Sequence, residues 1–364
     1  MIKILRVSNH PSKKKHGVGL HPHKISETNK FVTTFVSPSL GNEDSYLNIN
    51  NYELKISKVV FTKRPIKVSS IKKVFFHFKR VYKLFVFSFF CIKQARSAKV
   101  DIVHIHSPMY LLVAFWGKLT GKLTCITYHG TDYLRIKNSS AYRQVSKYLI
   151  DIGFCISPHM IDKMHNNHNV VKYTPNGVDT LIFYDKNWKR EKILLAVGSL
   201  KEEKSYGNLI KAFKKVIELN KDYQLHIAGD GHLRKGLEKL VDKEELTEKV
   251  NFCGNLNMSE LVDKYNMAEC FILSSYTEGF PKVVLEAIFS GCKVVATDVG
   301  SVKTFLPEKY IIPNDSIENL QNYILKIINE KKYDIDKEKL KLKFTWSNVI
   351  DNYEKTYKNN LTKH

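Results

Sequence analysis

Paired cysteines are missing from this 364-residue sequence. Its six, Cys91, Cys125, Cys155, Cys253, Cys270 and Cys292, show neither a CxxC pair nor metal-type spacing. Most sit in apolar strand-like runs, as small buried core residues do, which argues against a disulfide framework and for a reducing compartment. Long apolar runs are missing too. Leu84–Ile92 and Tyr110–Trp116 fall far short of the roughly 20 residues a spanning helix needs. The opening MIKILRVSNHPSKKKHG has no apolar signal core followed by a small-residue cleavage site. A cytosolic chain, not an integral membrane one, is expected. The DxD-type triplet Asp334-Ile335-Asp336 lies in a polar stretch away from every motif described below. It reads as solvated surface, so no metal is expected.

Acid is scarce in the first half. The chain holds 58 Lys and Arg against 36 Asp and Glu, a net charge of +22. Residues 1–185 carry 28 basic and 10 acidic residues, net +18, whereas the remainder has only +4. Residues 54–100 contain 13 Lys or Arg and no acid. Such a balance predicts an anionic partner: nucleic acid, an anionic membrane surface or a phosphorylated ligand. A hydrophobic share of 43% excludes a largely disordered chain. The length suits two cores better than one.

Short β-branched runs alternate with helical segments, the pattern of parallel sheets built from βαβ units. Strands are expected near 2–8, 31–37, 101–107, 123–129, 150–157 and 170–174, then near 192–198, 224–229, 250–254, 270–274, 293–297 and 310–312. Helices are expected near 17–29, 68–98, 109–120, 139–149 and 158–166 in the first half. In the second they fall near 206–219, 232–241, 258–267, 282–290 and 316–330. The strands are near-continuously apolar, as when helices cover both faces. The polar run DKNWKREK places the boundary between Phe183 and Lys192. The expected domains are 1–187 and 188–345, both Rossmann-like, with a closing helix over 346–364.

The richest local signal is SSYTEGFPKVVLEAIFSGCKVVATDVG, residues 274–300. A strand ends at Ser274, Gly279 lets the backbone turn, and Pro281 suits the first helical position. The amides of Lys282, Val283 and Val284 are then expected to be free at a helix N-terminus, ready for phosphate. Glu278 and Glu286 bracket that site. Carboxylates accept hydrogen bonds from sugar hydroxyls, so the pair suggests a ligand with hydroxyls at both ends, such as a nucleotide sugar. A capped helix with solvated acids is the bland alternative.

This segment resembles the paired-glutamate signature of retaining glycosyltransferase family 4, the glycosyl transferases group 1, of bacterial envelope polysaccharide type. Further blocks match in order: HGVGLHPHKIS (16–26), DIVHIHSP (101–108), YHGTD (128–132), CISPHM (155–160), TPNGVDTLIF (174–183), LLAVGSLKEEKSYGNLIKAF (194–213), LHIAGDGHLRKGLEKL (225–240) and VNFCGNL (250–256). The closing FTWSNVIDNYEKTY is similar to a last helix that crosses back onto the N-terminal domain. The resemblance implies an α/β GT-B fold, two Rossmann-like doubly wound domains facing a central cleft.

By that resemblance Glu286 binds the donor ribose. Glu278 and the backbone of Gly279, Phe280, Pro281 and Lys282 hold the donor sugar, and the Val283 and Val284 amides meet the diphosphate. Lys204 neutralises the leaving diphosphate. Ser199 stands where the family commonly has an arginine, so either Lys201 or another cation replaces that charge or the site works with one cation plus the helix N-terminus. Gly254 and Asn255 also fall on the donor side. Gly17 and Gly19 let backbone approach the diphosphate, His129 lies beside the reacting sugar carbon, and Asp132 positions the acceptor. His104 and His106 share one strand face and read as core or cleft-lining residues, since no third metal ligand sits near.

The resemblance further implies a retaining hexosyltransferase without cofactor or metal. It would move a sugar from a nucleotide-sugar donor, a UDP-sugar by default, to a lipid-linked or glycan acceptor of capsule, O-antigen or lipopolysaccharide synthesis. FTKRPIKVSSIKKVFFHFKRVYKLFVFSFF interleaves cations with aromatics, as helices lying on membranes do. An anionic membrane surface is therefore the expected partner of residues 54–100, at the inner face of the cytoplasmic membrane. An aromatic face packed on its own domain is the alternative. Nucleic acid is not expected, because no recognition helix or RNA-binding signature is present. A nucleotide-sugar hydrolase or epimerase of the same fold is the runner-up.

Overall fold

A computed structural model describes residues 1–9, 20–39, 52–61, 70–129, 139–164, 168 and 170–362. The chain divides into two compact units, Met1–Asn176 with Trp346–His364, and Gly177–Thr345.

Unit 1 is one seven-stranded parallel sheet. Its strands are β1 (Ile2–Val7), β2 (Phe31–Ser39), β3 (Glu53–Val60), β4 (Ile102–Ile105), β5 (Leu123–Tyr128), β6 (Ile152–Cys155) and β7 (Val170–Tyr173). They are ordered β3-β2-β1-β4-β5-β6-β7. Every position of β4, β5 and β6 is buried, which requires cover on both faces. Successive side chains alternate between those faces. Val103 and Thr124 meet helix α3 (Leu111–Leu119) at Gly117, where a Cβ would lie 2.9 Å from Val103. Helices α2 (Ser70–Ala98) and α4 (Ser140–Leu149) flank α3. Ile102, Cys125, Ile152 and Phe154 share one core with Val349, Ile350, Tyr353 and Tyr357 of the terminal helix, Trp346–Leu361. Two short helices complete the unit, α1 (Leu20–Lys24) and α5 (Pro158–Met164).

Strand β3 is absent from the expected elements, because its residues read as part of the basic segment. ELKISKVV pairs with β2 at the sheet edge, from Thr34↔Glu53 to Ser39↔Val60. Lysines at an edge keep it from pairing with another chain. Helix α2 buries Phe87, Ser88, Cys91 and Ala95, while Phe75, Phe78, Tyr82, Phe85 and Phe89 stay exposed along one stripe. Their spacing of three and four residues places all five on one helix face. That aromatic face does not pack on its own unit, since Phe78 is 75% and Phe89 71% exposed. No helix among the described residues is long and apolar enough to cross a membrane.

Unit 2 carries a six-stranded parallel sheet, ordered β10-β9-β8-β11-β12-β13. The strands are β8 (Glu191–Val197), β9 (Gln224–Ala228), β10 (Val250–Gly254), β11 (Ala268–Leu273), β12 (Lys293–Thr297) and β13 (Ile311–Ile312). Its helices are α6 (Tyr206–Leu219), α7 (Arg234–Lys243), α8 (Met258–Met267), α9 (Lys282–Phe289), α10 (Ile317–Ile328) and α11 (Lys337–Phe344). The terminal helix of unit 1 is therefore α12. Helix α11 is not among the expected elements. Asp336 of the DxD triplet caps it, accepting from the Lys339 N–H at 2.9 Å.

The units divide at Asn176/Gly177 rather than at 187/188. The reason is chemical: the polar run read as a linker is stapled to unit 2. The Lys186 N–H donates to Asn266 Oδ1 at 2.7 Å, and Arg190 donates to the carbonyls of Tyr265, Ala268 and Ser290. Val178 bridges to Thr345, its N–H donating to the Phe344 carbonyl at 2.7 Å.

Candidate functional site

Ligands of doubly wound sheets bind beyond the carboxyl ends of the strands, where the strand order reverses. In unit 2 that point lies between β8 and β11. The segments following these strands carry Lys204 and Glu278, and they meet. The Lys204 ammonium donates to Glu278 Oε1 at 2.5 Å, and Ser275 Oγ donates to the same oxygen at 2.8 Å. The Ser274 hydroxyl donates to the Lys204 carbonyl at 2.7 Å, and the Tyr276 N–H to the Glu203 carbonyl at 3.0 Å. Both charged side chains are 15% exposed, enough burial to strengthen the pair and enough opening for a ligand to reach it. The resemblance implies separate duties for the two residues; in the structure each neutralises the other.

Close backbone approach shapes the floor. Gly229 has φ +135°, and a Cβ there would lie 2.0 Å from the Gly198 carbonyl oxygen. Gly300, at φ +55°, would bring a Cβ to 2.6 Å from the Gly279 oxygen. Gly254, at the end of β10, accepts from the Gly229 N–H at 2.7 Å, and Asn255 beside it is exposed. Ser199 is half-buried next to Gly198, while Lys201 is exposed.

The start of α9 corrects the expectation of three free amides. Pro281 is the cap, not the first helical residue. The Lys282 N–H turns back to the Phe280 carbonyl at 2.9 Å and the Val284 N–H to the Pro281 carbonyl at 3.1 Å. Val283 is the amide left without an acceptor among the described residues. The Phe280 ring lies in the core, 5.7 Å from Phe305 and 6.0 Å from Phe344, so its side chain is taken up by packing. The side chain of Val284 is fully buried.

Glu286 lies on the helix side of this site, 3% exposed. Tyr265 donates to its Oε2 at 3.3 Å, and the Lys282 ammonium lies 3.0 Å from Oε1. Burial, with the Glu286 charge beside it, pushes the Tyr265 hydroxyl well above its ordinary pKa, so it stays a donor. The Lys282–Glu286 pair is readable from the i,i+4 spacing on a helix. Nothing in the sequence signals Tyr265.

Unit 1 presents a different chemistry. His104, His106 and His129 emerge from β4 and β5, and α1 supplies His21; all four are buried. The His104 and His106 rings stack at 4.3 Å, His106 stacks on His129 at 6.0 Å, and His21 meets His129 edge-on at 5.5 Å. Burial lowers His129 to about 4, and burial, then the neighbouring His129, lowers His21 to about 3. His104 and His106 are held well below the usual histidine range by burial, with the Arg6 charge contributing. Four neutral imidazoles result. His129 Nε2 and both ring nitrogens of His106 meet no partner among the described residues. Gly17, Gly19 and Asp132 lie outside the described residues. Among those described, no group of three or more His, Cys, Asp or Glu is placed to hold a metal ion.

Comparison with known proteins agrees with this division. Residues 179–341 match the family model for Glycosyl transferases group 1, and residues 51–180 that for Glycosyltransferase Family 4. An uncharacterized glycosyltransferase of Methanocaldococcus jannaschii is 27% identical over 279 residues, spanning 72% of this chain and 76% of that protein. A human phosphatidylinositol N-acetylglucosaminyltransferase subunit is 24% identical over 286 residues, 71% of this chain. The match spans 57% of the human protein, less than two thirds of its length. Among solved structures, Anabaena HepE in complex with UDP has a TM-score of 0.76 at 14% identity, over 99% of this chain and 100% of that one.

Proposed function

Because the chain belongs to the group 1 glycosyltransferases and has the GT-B fold, we propose that it is a retaining, metal-independent enzyme using a nucleotide-sugar donor. A UDP-sugar is favoured, since HepE of similar fold is solved with UDP. The observation that carries the donor site is the Lys204–Glu278 pair at 2.5 Å, together with the Val283 amide that has no acceptor among the described residues and the buried Glu286 of the same helix.

When donor binds, its diphosphate draws the Lys204 ammonium from Glu278 and takes the Val283 N–H at the positive end of α9. Lys282, held by Glu286, supplies the second positive charge that Ser199 lacks. Glu278, released from Lys204, accepts from hydroxyls of the donor sugar, as Glu286 does from the ribose. Ser199, Gly254, Asn255 and the backbone of Gly279–Lys282 complete the donor wall, with Gly17 and Gly19 on the diphosphate. His129 attends the reacting sugar and Asp132 the acceptor. The leaving phosphate oxygen takes the acceptor proton as the new glycosidic bond forms on the same face. Rate then rests on orientation and charge stabilisation.

The acceptor we propose is a lipid-linked or glycan molecule of bacterial envelope synthesis, met at the inner face of the cytoplasmic membrane. The human relative carries a lipid, phosphatidylinositol, in its name. The exposed aromatic stripe of α2, within a segment free of acids over 54–100, suits an anionic bilayer.

Thermal shift with UDP- and GDP-sugars tests the donor site. A UDP-sugar should raise the melting temperature, Glu286→Ala should abolish the rise, and Lys204→Met should lower kcat on the order of 10²–10³-fold. If no nucleotide sugar shifts the wild type, the donor site is refuted. Release of free sugar at the transfer rate without acceptor would favour a hydrolase instead.

A further inference from the structure

Arg6 of β1 is fully buried, and its Nε and Nη2 meet no acceptor among the described residues. Its charge lies over the rings of Phe31 (5.6 Å), Tyr353 (5.9 Å) and Tyr357 (6.0 Å). Cation–π contact with three rings offsets part of the desolvation. The remaining contact carries information. Arg6 Nη1 lies 3.1 Å from His104 Nδ1, and a guanidinium only donates. His104 Nδ1 must therefore accept, and it also accepts from the Tyr357 hydroxyl at 2.6 Å.

That single constraint propagates. A neutral His104 accepting at Nδ1 carries its proton on Nε2, which donates to Thr127 Oγ1 at 2.9 Å. The buried Thr127 hydroxyl proton has no other acceptor among the described residues, so it goes to the Tyr353 hydroxyl at 3.0 Å, and Tyr353 in turn donates to His21 Nε2 at 3.1 Å. The His21 proton is thereby placed on Nδ1, which donates to Asn176 Oδ1 at 2.5 Å. One buried cation fixes the direction of five successive hydrogen bonds.

The far end of this chain is a meeting point. Asn176 is the last residue before the chain leaves unit 1, and Trp346 the first after it returns. His21 bonds the one and stands edge-on to the other at 5.6 Å. The same ring packs on His129 at 5.5 Å.

We propose that Arg6 and His21 are positioning residues of the transferase: Arg6 sets the direction of the hydrogen-bond chain, and the Nδ1–H form of His21 that results holds Asn176, Trp346 and the edge of His129 in one arrangement. A change at Asn176 or Trp346 then reaches the His129 ring, which the proposed function places beside the reacting sugar. This consequence rests on the proposed role of His129; the tautomer itself does not.

The test therefore has two independent readouts on the full chain. Ring tautomers in ¹⁵N-labelled protein at pH 7.5 should show His21 as Nδ1–H and His104 as Nε2–H. Tyr353→Phe keeps the ring and removes only the relaying hydroxyl, and Thr127→Val breaks the chain one step earlier. Each should shift His21 toward Nε2–H and lower kcat about tenfold while the donor KM stays within about twofold. Arg6→Met should release the His104 tautomer. A wild-type His21 found as Nε2–H overturns the proposal, as does a tautomer unmoved in both variants. Variants that move the tautomer but keep kcat overturn the link to His129, whereas a wild type inactive with every donor refutes the transferase reading and leaves the tautomer result standing.

Discussion

Acidification is expected to unfold unit 1 well before ordinary acid denaturation. His21, His129 and His168 are buried and neutral, with pKa values lowered to about 3, about 4 and about 4, burial being the first cause in each case. An unfolded histidine takes its proton near pH 6.5. Above that pH neither state is protonated and the linkage vanishes. Below it the unfolded chain gains protons that the folded one refuses, so stability falls as pH drops from about 6.5 to about 4. Each residue then contributes a loss of a little over about 1 kcal/mol per pH unit, or about 2 kcal/mol by pH 5. Three residues remove roughly 6 kcal/mol, comparable with the roughly 5–15 kcal/mol that holds an ordinary protein folded. His104 and His106 act in the same direction. No carboxylate pairs with Arg6 among the described residues, so the charge nearest these rings only deepens the effect. Urea titrations of a Trp188→Phe variant, followed by fluorescence of Trp116 and Trp346, report unit 1 alone at pH 7.5, 6.5 and 5.5. The midpoint should fall steeply across the lower interval. His168→Phe, which loses the 2.6 Å bond to Tyr128 and the contact with the Ser146 backbone, should make that slope shallower by about 1 kcal/mol per pH unit. Equal midpoints at pH 7.5 and 5.5 would refute the reasoning.

Two further outcomes follow from exposed and crowded backbone. Flotation with vesicles rich in anionic lipid should carry the wild type, and Phe78→Asp with Phe89→Asp should leave it at the bottom; binding indifferent to lipid charge or to these substitutions would remove α2 as the membrane face. Gly229→Ala would drive a methyl into the Gly198 carbonyl at a positive φ, so a loss of about 2–4 kcal/mol in unit 2 is expected by urea titration; an unchanged midpoint would show that the two loops separate freely.

Periodicity and burial made the sheets legible. Runs such as IVHI and LTCITY admit no solvated face, so helices on both sides follow from the residues alone. Strand β3 escaped because an edge strand shares its lysines with the helix that follows. The unit boundary escaped because polarity marks a linker only when its side chains are free, and Lys186 and Arg190 are not. Of the proposed donor site, Lys204, Glu278 and Glu286 were legible as candidates because they sit in dense local patterns. Their partners were harder. Tyr265 reaches Glu286 from another helix, and Arg6 looks like a solvated residue in IKILRV until the terminal helix, some 350 positions later, closes over it. Long-range polar contacts leave no local trace, and that class of contact dominates the histidine cluster.

Helix α12 has a consequence for biosynthesis. Val349, Ile350, Tyr353 and Tyr357 belong to the same core as Ile4, Ile102 and Phe154. Unit 1 therefore lacks one wall until residues 346–361 have been made, while the strands and helices of unit 2 all precede them in the chain. Domains generally fold in the order of synthesis. Here the order inverts: unit 2 can be finished while unit 1 still waits with an open core, and a nascent chain cut short before Trp346 leaves the histidine cluster without the cover of Trp346 and Tyr353.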